Sequence, residues 1–260
     1  MKKIITLSLN RSGSTFFIST LSNVSNCYGD FEINMTEEIP TNTHRSLIKT
    51  NVYQIFNELA EQNKNTNIIC SKIVLAPQHD FNIKKSLEIL KHELKKIDKI
   101  IIILRPWYEQ FFSKYIGAGH FSTNKNNLPK YMREFYIDDI DVLKDRCKPR
   151  KTELDISLFK KSMNRRMEIQ SDLLHPISTM ENAITIQYKN IHQYLISMIL
   201  ELTEMNKAQA ELIVKNAPTK KLSGYYPNEQ ELFSNFEEVL KLKDFYNLSY
   251  EKTLLNFLSK

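Results

Sequence analysis

A β-forming run, Lys3-Ile4-Ile5-Thr6-Leu7-Ser8-Leu9, feeds directly into the polar segment Asn10-Arg11-Ser12-Gly13-Ser14-Thr15. Phe16, Phe17, Ile18, Leu21 and Val24 then recur at helical spacing, which predicts a helix beginning near Ser14. Glycine is scarce, 5 in 260 residues, so one placed between strand and helix marks the turn itself. A strand, a short polar loop and a helix make an anion-binding turn. The unpaired amides of the helix's first turn point toward the ligand, and the helix dipole favours negative charge there.

The rest of the chain repeats the alternation. A second strand is expected around Tyr28–Ile33, with Glu32 at its end, and a helix over Arg45–Gln62. Asn67–Leu75 reads as a central strand interrupted by Lys72, and Phe81–Ile97 as a lysine-rich amphipathic helix. Lys99–Leu104 is almost continuously apolar, as a parallel strand buried on both faces should be. Arg105-Pro106 ends it, and Pro106 suits the first position of a helix running to about Ile116. A loop over Gly117–Asn127 precedes a charged, mostly helical stretch, Pro129–Leu174, in which Asp155 is placed to cap a helix. Ala183–Tyr188 is the last strand, and helices follow over Ile191–Glu204, Lys207–Asn216, Glu229–Leu240 and Tyr250–Leu258. This alternation predicts an α/β fold: a mostly parallel central sheet flanked by helices, in one domain over residues 1–260. Ligands of such sheets bind at the carboxyl ends of the strands, which gathers Arg11, Glu32, Lys72–Pro77 and Arg105 around one crevice.

Composition narrows the function. Hydrophobic residues make up 42 % and charged residues 25 %, values that support a packed core. The net charge of +6 suits an anionic ligand, but the basic residues are dispersed, with no arm or reader motif for nucleic acid. The longest aliphatic run, Ile100–Leu104, is far short of the ~20 residues of a membrane helix, and the N-terminal residues lack a secretory signal's apolar core. Cys27, Cys70 and Cys147 form no C-x-x-C pair, so neither a zinc site nor a disulfide framework is expected, and a cytoplasmic setting is. His44, His92, His120, His175 and His192 show no metal-ligand spacing.

The first loop is not a Walker A sequence, which requires a leading glycine and a lysine. It retains the groups that hold a phosphate: the charge of Arg11, the amides around Gly13, and the hydroxyls of Ser12, Ser14 and Thr15. Taken alone, its alternative reading is a capped helix start with a solvent-facing arginine. A second motif changes that balance. Arg105 ends the buried strand, and Ser113 follows eight residues later on the next helix, a spacing that lets both converge on one phosphate.

Together, Arg11-Ser12-Gly13-Ser14-Thr15-Phe16 and Arg105…Ser113 resemble the PAPS-dependent sulfotransferase family, whose fold is P-loop-like. The usual Asp-Pro after the arginine is replaced here by Pro106-Trp107. Weaker similarities are Cys70-Ser71-Lys72 to the family's lysine-bearing strand, Tyr188-Lys189-Asn190 to its late Y-E-D segment, and Lys220-Lys221 to its basic C-terminal loop over the cofactor. The resemblance implies transfer of a sulfuryl group from PAPS to a hydroxyl or amine of a carbohydrate or small metabolite, releasing PAP without a metal. By that resemblance Arg11 stabilises the leaving oxygen, and Ser12 to Phe16 hold the 5′-phosphosulfate. Arg105 and Ser113 hold the 3′-phosphate, and Lys220 and Lys221 close over the nucleotide. Glu32 is the preferred base and His79 the second choice, because the family's histidine follows the lysine within two residues and His79 stands seven beyond Lys72. Residues 117–174, rich in Lys and Arg, are the expected acceptor-binding or lid region. A P-loop-like nucleotide kinase and a catalytically silent nucleotide-binding protein of the same fold are the alternatives.

Overall fold

The computed structural model describes residues 1–10, 12–35, 44–46, 51–77, 81–113, 153–217, 230 and 233–259, without the side chains at 30, 31, 34 and 44–46. The chain divides into two compact units. The first comprises Met1–Arg105, Arg165–Thr219 and Thr253–Lys260; the second comprises Pro106–Asn164 and Lys220–Lys252.

In the first unit β1 (Lys2–Leu9) leads to α1 (Ser14–Leu21), then β2 (Cys27–Asn34), β3 (His44–Ser46), α2 (Val52–Gln62), β4 (Ile68–Leu75), α3 (Ile83–Leu94) and β5 (Lys99–Leu104). The chain resumes in the last turn of α4 (Ile156–Ile169), then a π-helical turn (Gln170–Leu174), α5 (His175–Ser178), β6 (Ala183–Gln187), α6 (Ile191–Leu202) and α7 (Lys207–Asn216). Among the described residues the six strands of the sheet are parallel, in the order β3-β2-β4-β1-β5-β6, so the chain has the α/β architecture expected of its strand–helix alternation.

Strand periodicity sorts the core. Ile4, Cys70, Ile101, Ile103 and Ile186 face α1 and α6, where Phe17, Ile18, Leu21, Leu195, Met198 and Ile199 close the layer. Their alternates Ile5, Leu7, Leu9, Ile69, Ile73, Ile100 and Ile102 are equally buried on the opposite face. The π-helical turn packs on β1, and α2 on β4. β1 connects outward to β2 on one side of the sheet, while β5 connects to β6 on the other. The carboxyl ends of β1 and β5 therefore flank the point where the crossovers diverge, which is where open α/β sheets bind ligands.

Two element boundaries differ from those read in the sequence. The helix expected over Arg45–Gln62 begins only at Val52, because Asn51 caps it, its Oδ1 accepting from the Gln54 amide at 2.7 Å, while Arg45 lies in β3. The two helices expected near the end are one, α8 (Phe236–Leu258), since no Gly or Pro between 236 and 258 stops it. In the second unit, Asn235 just ahead of α8 exchanges two 3.0 Å hydrogen bonds with the backbone of Leu154. Asp155 caps α4 as expected, its Oδ1 accepting from the Leu158 amide at 3.0 Å. The aromatic core of this unit includes Trp107 edge-on to Tyr250 and Phe159 between Tyr108, Phe111 and Tyr246. Residues 117–152 of the expected acceptor region lie outside the described residues.

Cys27 and Cys70 sit on neighbouring strands with their sulfurs 3.5 Å apart, both reduced and buried. The hydrogen bond with Cys27, followed by burial, holds the Cys70 thiol well above its ordinary pKa. Cys147 lies outside the described residues.

Candidate functional site

The loop after β1 is organised around Gly13, the residue preceding the first turn of α1. Its backbone is left-handed, φ 90° and ψ 6°, a conformation that glycine adopts without steric cost. A Cβ there would lie 2.6 Å from Cε2 and 2.8 Å from Cδ2 of Tyr188, so the absence of a side chain is also what lets the aromatic ring approach. Gly13 has no side chain to cap α1, and the amides of a helix's first turn have no partner within the helix. Ser12 is fully buried, and its hydroxyl has no hydrogen-bond partner among the described residues. Ser14 is almost as deeply buried, whereas Thr15 is exposed. Phe16 turns away from the loop to pack on the core, its ring centroid 5.1 Å from that of His192.

The next side chains come from β2 and β4. Glu32 and Lys72 are register partners on adjacent strands, so their side chains leave the same face of the sheet. Lys72 Nζ lies 2.9 Å from Glu32 Oε2 and donates to Thr15 Oγ1 at 2.9 Å. One ammonium thus joins the proposed base to the first turn of α1. Its side chain is only 15 % exposed, and a partly desolvated cation attracts an incoming anion more strongly than a surface lysine does. The sequence signal for Lys72 was a charge interrupting an otherwise apolar strand.

Arg105 leaves the end of β5 and lies over the ring of Tyr188, with Cζ 4.4 Å from the ring centroid. Tyr188 opens the 3-10 turn Tyr188–Asn190 after β6 instead of ending the strand. Because the same ring abuts Gly13, Tyr188 links the two segments that the sequence singled out, the Ser12–Thr15 loop and Arg105. Nothing in the chain's local pattern marks Tyr188 for this contact. Ser113 is half-buried in the helical stretch 107–113 of the second unit. Arg11, His79, Lys220 and Lys221 lie outside the described residues. Trp107 is fully buried and belongs to the core of its unit.

Among the described residues, no group of three or more His, Cys, Asp or Glu could hold a metal ion. No helix among them is long and apolar enough to cross a membrane. The chain matches no protein-family model and no curated protein. Among solved structures it is similar to a mouse sulfotransferase crystallised as a complex with PAP, with 12 % identity and a TM-score of 0.40, over 90 % of this chain and 71 % of that one.

Proposed function

We propose that the protein is a PAPS-dependent sulfotransferase acting on a carbohydrate or small hydroxylated metabolite. The observation that carries this reading is the Gly13–Tyr188–Arg105 stack. It joins a loop with no side chain at its turn to the arginine that ends β5, at the carboxyl edge of the sheet. The residues fit an anionic nucleotide: the left-handed Gly13 turns the chain into the first turn of α1, and the buried Ser12 hydroxyl has no hydrogen-bond partner among the described residues.

In this reading PAPS supplies an activated sulfuryl group, and the chain supplies position and charge. Ser12, Ser14, Thr15 and the amides of α1 hold the 5′ anion, with Lys72 beside them and Arg11 against the leaving oxygen. Arg105 and Ser113 select the 3′-phosphate, and Lys220 and Lys221 add charge over the nucleotide. Glu32 takes the acceptor's proton, with His79 the second candidate. The Lys72 ammonium, 2.9 Å from Oε2, holds the Glu32 carboxylate in place beside the first turn of α1. Residues 117–174 supply acceptor contacts.

The test is calorimetric titration with PAP, with adenosine 5′-phosphate and ATP as controls. PAP is expected to bind in preference to both. Arg105→Ala removes hydrogen bonds to a charged group, a loss of about 1.5–3 kcal/mol, so affinity for PAP should fall about 10- to 150-fold. Its affinity for adenosine 5′-phosphate should change little, and Glu32→Gln should leave PAP affinity intact. Absence of PAP binding would overturn the proposal, and ATP binding in preference to PAP with Mg²⁺ present would favour the kinase instead.

A further inference from the structure

Two consecutive arginines near the C-terminal end of α4 reach the two segments that leave β1 and β4. Arg166 is 1 % exposed, and its Nη2 lies 3.5 Å from Oδ1 of Asn10, the residue that follows β1 and precedes Arg11. Burial lowers its pKa to about 10, which still leaves it protonated at neutral pH. Asn10 in turn donates its backbone N–H to the carbonyl of Leu75, the last residue of β4, at 3.3 Å. Arg165 donates from Nη2 to the carbonyl of Phe81 at 2.6 Å, lies 5.0 Å from the Phe81 ring centroid, and is itself braced by Glu168 at 2.7 Å. Phe81 lies where the segment after β4 enters α3.

Burying a guanidinium is costly unless it is well paired, and an exposed lysine would have satisfied the helix end as well. We propose that Arg165 and Arg166 form a clasp of positioning residues that fixes the segments after β1 and β4 at the spacing the anion site requires. Arg166 acts through Asn10 on the Ser12–Thr15 loop, and Arg165 acts through Phe81 on the segment that follows Lys72's strand. Neither arginine touches the ligand in this role. The ligand consequence rests on the proposed PAP site, whereas the clasp itself does not.

Hydrogen exchange on the full chain tests the clasp without any ligand. Arg166→Met should raise exchange at least tenfold in amides 12–17 and leave α6 and α7 unchanged, while Arg165→Ala should do so in amides 81–86. If Arg166→Met fails to fold, Arg166→Lys and Asn10→Ala report on the same contact, the lysine giving partial rescue. Titration with PAP then supplies a readout that a merely structural role would not move. Arg166→Lys and Asn10→Ala should each weaken PAP several-fold, and the double variant should lose no more than the worse single one. Unchanged exchange in both segments, a uniform rise across the sheet, or additive losses of PAP affinity would overturn the clasp. If the wild-type chain binds no PAP, the sulfotransferase reading falls and the exchange pattern still decides the clasp.

Discussion

Replacing Gly13 with alanine tests the organisation of the first loop at its most constrained atom. Two costs add at this position. A side-chain-bearing residue at φ 90° pays about 1–2 kcal/mol of backbone strain. The new methyl also meets Tyr188 at 2.6 and 2.8 Å, inside any tolerable contact. Tyr188 cannot yield freely, because its ring lies under Arg105 and a shift gives up a cation–π contact. Overpacking of this kind costs about 1–3 kcal/mol, so Gly13→Ala should destabilise the chain by about 2–5 kcal/mol. Urea unfolding followed by tryptophan fluorescence and by far-ultraviolet circular dichroism measures the loss. Repeating the substitution in a Tyr188→Ala background should remove most of the steric part, leaving the ~1–2 kcal/mol of strain and a 3.2 Å approach to Ile191 Cδ1. A cost below ~0.5 kcal/mol, the level of an ordinary surface change, would refute the left-handed, ring-packed loop. An equal cost in both backgrounds would refute the role of Tyr188.

Other consequences can be checked independently. Glu93 is 7 % exposed and accepts the Val52 amide at the first turn of α2 at 2.8 Å, so Glu93→Ala should cost about 1–3 kcal/mol in urea unfolding by leaving a buried donor unmet, whereas a neutral result would show that solvent replaces the cap. Cys70 has a thiol pKa raised in the folded state, so its contribution to stability is complete below the unfolded value of ~8.5 and is lost as pH rises toward the folded value. Unfolding midpoints should therefore decline above about pH 8.5, and less steeply in Cys70→Ala; identical slopes would exclude Cys70 as the cause. The same raised pKa predicts that Cys70 resists alkylation in the native chain at pH 8 and reacts once urea unfolds it, which mass spectrometry of labelled peptides can follow.

Features that local chemistry controls were legible in the residue pattern alone. The apolar run Lys99–Leu104 is a strand with the bounds read from its pattern, and the helix after Gly13 starts at Ser14, because periodicity and a helix-start signal act over a few residues. The parallel α/β class followed from the alternation of such elements. Local pattern failed where an element's end depends on a single competing contact, as at Asn51, or where two expected helices, Glu229–Leu240 and Tyr250–Leu258, meet across a stretch in which no glycine or proline enforces a break. Which side chains meet depends on how the elements pack. The strand order brings β2 beside β4, and register then sets Glu32 opposite Lys72, 40 positions away along the chain. The contacts of Tyr188 with Gly13 and Arg105, and of Arg166 with Asn10 across 156 positions, have no local signature. They exist because burying both faces of the sheet fixes where each helix and turn lies, and that is a property of the whole packed unit.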